Sequence, residues 1–81
     1  MPIAFVLMRC DEKDELEIKR SLHEMGVTVV VRSTIGHYDI VAKITSPNLE
    51  HLNEALEDIH GNNKIRSSKV LLGVKQAAEA A

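Results

Sequence analysis

Val27-Thr28-Val29-Val30-Val31-Arg32-Ser33-Thr34-Ile35-Gly36-His37-Tyr38-Asp39-Ile40-Val41-Ala42-Lys43-Ile44 decides the fold of this chain. Val27 to Val31 is almost wholly β-branched, which suits a pleated strand and little else. Arg32 to Thr34 continues it with polar residues, and Gly36-His37 makes a turn. Tyr38 to Ile44 then forms a second strand. The connection is too short for a crossover, so the two strands pair as an antiparallel hairpin.

Upstream, Ile3 to Met8 is an unbroken apolar run with the character of a strand buried on both faces. Asp11 opens a polar run, and Asp14 and Glu15 fall in the first turn of a helix, where the macrodipole favours acids. Ile18, Leu22 and Met25 recur at i, i+4 and i+7 and give that helix one core-facing stripe. Leu16 points the other way, beside Arg20 and His23, as a lone exposed apolar residue or a contact with another chain. Gly26 is expected to close the helix at the C′ position.

Downstream, Ser46-Pro47 signals a helix start, with serine as the cap and proline at the first helical position. Leu49, Leu52, Leu56 and Ile59, with Ala55 beside them, form the clearest amphipathic stripe. Gly61-Asn62-Asn63 ends it, and Ile65 to Val74 makes the last strand. The tail, residues 76–81, lacks an apolar stripe and is expected to be frayed, leaving one domain over residues 1–75. The order strand-helix-strand-strand-helix-strand predicts an α+β fold: a ferredoxin-like βαββαβ unit with a four-stranded antiparallel sheet and two helices on one face.

The composition of these 81 residues narrows the function. The net charge is −2 and the 10 basic residues are dispersed along the sequence, so no basic stripe marks a nucleic-acid surface. Phe5 and Tyr38 are the aromatic residues, too few for base stacking. Cys10 is the single cysteine, which excludes an internal disulfide and fits a cytoplasmic setting. The first residues lack the basic flank of a signal peptide.

The strands do not alternate as they should if one sheet face met water. Ala4, Val6 and Met8 are as apolar as Ile3, Phe5 and Leu7, and Val30 matches Val29 and Val31. Two helices cover one face, so a second copy packed sheet to sheet is the expected cover for the other.

His23, His51 and His60 share no helical face, so neither a metal site nor a cofactor site is expected within one chain. Cys10 has no histidine placed to activate it. Ser67 and Ser68 lack the glycine elbow of a nucleophilic serine. Gly36-His37-Tyr38-Asp39 has two readings. In one, glycine takes a positive φ, tyrosine packs at the strand end and aspartate bonds to the turn backbone. In the other, backbone N–H groups near Gly36 take a carboxylate, Asp39 pairs with an ammonium and Tyr38 walls one side, a set complementary to an α-amino acid.

"GHYDIVAKI" after a β-branched strand, then "SPNLEHL" and "KIRSSKVLL", resembles the ligand-binding (RAM-type) domain of the leucine-responsive/asparagine-sensing (Lrp/AsnC) transcription regulators. The resemblance spans roughly Ile3 to Lys75, without the helix-turn-helix segment that precedes the domain in longer members, as in a stand-alone version. It implies sheet-paired dimers that join into rings, with amino-acid effectors bound between dimers. It also implies that Gly36, His37, Tyr38 and Asp39 form the effector loop and that Ser68 is the first of two hydroxyl residues on the last strand. Val70 stands where the second would be. The expected function is a non-enzymatic amino-acid-binding and oligomerisation module, able to co-assemble with full-length regulators. The alternatives are a small dimeric α+β-barrel enzyme of monooxygenase or isomerase type, and a ligand-free assembly partner.

Overall fold

The computed structural model describes residues 2–34 and 36–72. In chain order they form β1 (Ile3–Cys10), α1 (Glu15–His23), β2 (Thr28–Ser33), β3 (Ile40–Thr45), α2 (Leu49–His60) and β4 (Ile65–Leu72), with a 3₁₀ turn over Glu12–Asp14 ahead of α1. The strands make one sheet in the order β2-β3-β1-β4, and every neighbouring pair is antiparallel. This is the expected ferredoxin-like βαββαβ arrangement. The expected end of the last strand at Val74, the domain limit at residue 75 and the tail over 76–81 lie outside the described residues.

Side-chain period places the core. Ala4, Val6 and Met8 of β1 and Ile40, Ala42 and Ile44 of β3 are wholly buried beneath the helices. Strict alternation along a strand sends every second residue to the same face, so these six come from positions two apart. Ile18 and Leu22 of α1 and Leu52, Ala55, Leu56 and Ile59 of α2 close over them. Val27, Val29 and Val31 flank this cluster, half-buried. Leu16 lies outside it, 70% exposed.

Two helix ends differ from the sequence expectation. Asn48, rather than Ser46, caps α2, its side-chain oxygen accepting the His51 N–H at 2.8 Å. Pro47 therefore precedes the cap instead of opening the helix. Ser46 is buried and holds the approach to α2: its Oγ donates to the Asn48 carbonyl at 2.7 Å and its N–H donates to the Pro2 carbonyl at 3.1 Å. Ser46 and Asn48 are both good capping residues, and the strand preceding them runs one residue further than the pattern shows, to Thr45. At the other helix, Glu24 is the C-cap and Met25 follows it, so Gly26, at φ +78°, falls one position later than C′.

β4 contains a phase reset. Arg9 pairs with Ser67 but Cys10 pairs with Ile65, leaving Arg66 as the extra residue of a bulge. Ile65 thereby joins Val70 and Ser68 on the helix-covered face, instead of turning to the opposite one. Arg66 reaches back with two guanidinium hydrogen bonds to Asp11, at 2.8 and 3.0 Å. Those bonds hold the Asp11 carboxyl below its ordinary range. Lys64, just before the strand, pairs with Glu17 of α1 at 3.0 Å.

The face away from the helices is uncovered within one chain. It carries Ile3, Phe5 and Leu7 of β1, Val41 of β3, Val30 of β2 and Leu71 of β4, half-buried or exposed.

The core assignment makes a direct stability contrast. Leu52→Ala is expected to cost about 2–5 kcal/mol, because a wholly buried leucine leaves a cavity under α2. Leu16→Ala should stay within about 0.5 kcal/mol of the unaltered chain. Urea unfolding followed by circular dichroism checks both.

Candidate functional site

The connection from β2 to β3 is built by three backbone and side-chain bonds. The Thr34 N–H donates to the Asp39 carbonyl at 2.9 Å and closes the loop. The Asp39 N–H donates to the Met8 carbonyl at 2.8 Å and ties the loop to β1. Gly36 sits at φ +103°, where other residues are strained, although a Cβ there would meet nothing within 4 Å. Its role is conformational rather than steric. Gly36 and His37 are exposed, while Tyr38 and Asp39 are half-buried. The N–H groups of Gly36, His37 and Tyr38 have no acceptor among the described residues.

Asp39 makes the third bond, and here the structure departs from the reading in which aspartate bonds to its own turn. Its carboxylate accepts the Cys10 N–H at 3.0 Å, so it binds the end of β1 instead of its own turn. The reason lies in the ladder. Ile40 pairs with Met8, and β3 begins there, so no β3 carbonyl lies opposite Cys10. One carboxylate oxygen of Asp39 substitutes for the missing rung, leaving the second oxygen without a partner among the described residues. The acid immediately before the strand is visible in the sequence, whereas the two-residue overrun of β1 is a property of the fold.

Cys10 itself is buried. Burial pushes its thiol above the ordinary range, and the carboxylates of Asp39, Glu15, Asp14 and Asp11 push it the same way. It is therefore a protonated and inert thiol at neutral pH.

Ser68 lies at the same end of the sheet as this turn. It pairs with Met8, which pairs on its other side with Ile40. β1 thus separates Ser68 from the loop by two strand spacings, roughly 10 Å. Gly36, His37, Tyr38 and Asp39 are brought together within the chain; Ser68 stands apart from them, half-buried on the helix-covered face. Val70 shares that face and packs on the core.

A separate cleft of about 390 Å³ opens between the helices, lined by Leu22, Met25, Ile59 and Ile65 with Ser21, Glu24, Asp58 and Asn62 on its polar side. None of the turn residues contributes to it, and no sequence spacing pointed to it. Among the described residues, no group of three or more His, Cys, Asp and Glu is arranged to hold a metal.

Two measurements check this geometry. Asp39→Ala is expected to destabilise the fold by about 1–3 kcal/mol, because the Cys10 N–H loses its acceptor. Asp39→Asn, whose amide oxygen can still accept, should cost clearly less in the same urea titration. Alkylation of Cys10 by iodoacetamide should be much slower in the native protein than in urea.

A family model described as the Lrp/AsnC ligand binding domain matches residues 3–80. TTHA0845 from Thermus thermophilus is similar at 26% identity and a TM-score of 0.78, over 90% of this chain and 92% of that one. FFRP-DM1 is similar at 25% identity and a TM-score of 0.77, over 90% of this chain and 99% of that one. AsnC of E. coli shares the fold at 23% identity and a TM-score of 0.74, over 91% of this chain but 51% of its own. Among curated protein sequences no match was found. With the family model matching nearly the full length of the chain, this protein belongs to the Lrp/AsnC ligand-binding-domain family.

Proposed function

We propose that this chain is an amino-acid effector-binding and oligomerisation module of the regulatory, non-catalytic kind, and that the turn before β3 is half of its effector pocket. The observation that supports this most is the pairing of opposite recognition groups in one short loop. Three consecutive N–H donors at Gly36, His37 and Tyr38 lie beside an aspartate with one uncommitted oxygen. Successive free N–H groups in a turn form a concavity for a carboxylate. The Asp39 oxygen takes the ammonium, and Tyr38 closes one side. Both recognition bonds are charge-assisted, and so of the strong class.

A turn on the surface of one chain leaves such a ligand open to water, so a second chain completes the pocket. In this reading the uncovered sheet face is the pairing surface. Its six apolar side chains are partly exposed in one chain, and full burial is worth roughly 1.5–3 kcal/mol each from the exposed state. Half of that gain over six residues is on the order of 5–10 kcal/mol, comparable to the association cost of about 4–15 kcal/mol. Dimers so formed, and rings of dimers, bring the turns of different chains together. Ser68 then serves the ligand of a neighbouring chain, and Val70 in place of a second hydroxyl narrows the choice of effector.

The module acts through assembly, with copies of itself or with full-length regulators of the family. Its setting is the cytoplasm, consistent with a single buried free thiol. Among the described residues no helix is long and apolar enough to cross a membrane.

Calorimetric titration with each of the twenty amino acids is the test. Heat is expected for one or a few of them. Asp39→Asn, which keeps the acceptor for Cys10 but loses the charge, should weaken that binding by about 10-fold or more. Silence for all twenty would end the effector reading.

A further inference from the structure

The pairing surface carries a charge pattern of its own. Strand register sets Val30, Lys43, Phe5 and Leu71 in one row across the open face, and Arg32, Val41, Leu7 and Lys69 in the next. Arg9 stands beyond them at the edge of β1, beside Ser67. The charged side chains of this face are therefore Arg9, Arg32, Lys43 and Lys69, all exposed, and no strand residue on it is an acid. Among the described residues none of the four has a carboxylate within ion-pair distance, and the Arg32 guanidinium turns to the Val31 carbonyl at 3.0 Å. Apart from Asp39 in the turn before β3, the acids among the described residues lie on the helical layer and its approaches. α2 alone carries Glu50, Glu54, Glu57 and Asp58 with no lysine or arginine.

We propose that the open face selects a partner of this same fold whose own open face carries acidic side chains, in preference to a second identical copy. The inference rests on the reading above that chains pair through this face. Lys43 sits between Val30 and Phe5, in the middle of the apolar rows. A second sheet packed about 10 Å away encloses its ammonium. An enclosed charge without a partner is strongly unfavourable. Under two-fold symmetry each copy presents the same patch to the other, so an identical chain meets four cations with four cations and offers no acid from its strands. The apolar rows ask for an apolar cover, and the cations interleaved with them ask for carboxylates. A related sheet with Asp or Glu at the facing positions supplies both. A nucleic acid matches the charge but leaves Ile3, Phe5 and Leu7 without cover.

The test uses a charge-reversed form of this chain, Lys43→Glu with Lys69→Glu, as the probe partner. Both positions are exposed, and circular dichroism verifies that the variant folds. Isotope-labelled unaltered chain is mixed with it and the species are counted by native mass spectrometry. Random exchange makes mixed pairs about half of the total, whereas the proposal expects them to dominate. By sedimentation the mixed pair should be about 10-fold tighter than the unaltered pair at low salt, with the advantage shrinking as salt screens the charges. Lys43→Gln, which removes one cation and adds no acid, should self-associate more tightly than the unaltered chain. Random mixing at every salt concentration, or weaker self-association of Lys43→Gln, overturns the selectivity. Monomers in every sample overturn the pairing surface itself. Neither result touches the calorimetric reading of the effector turn, so the two conclusions fail separately.

Discussion

Two helices, of 9 and 12 residues, cover one face of a four-stranded sheet and no more. Every other property of this small chain is arranged around that limit. The covered face takes the wholly buried residues of β1 and β3 and the stripes of both helices. The other face keeps Ile3, Phe5 and Leu7 of β1 and Val41 of β3 in the alternate positions, interleaved with Lys43. A chain of this size buries too small a fraction of its surface to leave such a face idle. Under the proposed pairing the protomer is half of a packed unit, and the turn before β3 lies at the end of that half.

In the turn, a structural duty and the proposed binding duty fall on one side chain. Asp39 replaces a missing ladder rung for Cys10 with one oxygen and keeps the other. The bond fixes the carboxylate against β1, so little rotamer freedom remains to be lost when a ligand arrives. Gly36 contributes a left-handed backbone conformation. Preorganisation here comes from sheet pairing on one side of the loop and from a left-handed residue on the other.

Much of this was legible from residue order. The β-branched run at Val27–Val31 and the stripe from Leu49 to Ile59 left little choice of element, although Leu49 itself stays exposed, and the short link through Gly36 left little choice of pairing. The equal apolarity of Phe5 and Val6 pointed to a second covered face, because alternation is what a solvated face imposes. Less visible were the features set by partners distant in sequence. Asn48 wins the α2 cap while the Ser46 hydroxyl is committed to the Asn48 carbonyl and the Ser46 N–H is held by Pro2, 44 residues earlier. The Asp39 bond depends on β1 outrunning β3, a difference of strand ends that no local pattern shows. Ser68 matched the family motif by position, yet its separation from the turn by β1 emerges from sheet order alone.

The bulge at Arg66 separates the length of β4 from its phase. Elsewhere along the strand, gaining or losing one residue would exchange the two faces, sending Val70 outward and Leu71 inward. At Arg66 the ladder already holds one residue more than its partner uses, so Ile65 and Ser67 keep their pairings with Cys10 and Arg9 whether or not a residue stands between them. The strand thus has a single joint at which its sequence can lengthen or shorten without turning the core inside out. That joint lies before the Ser68 and Val70 positions, which leaves their register against β1 insulated from changes at the start of β4.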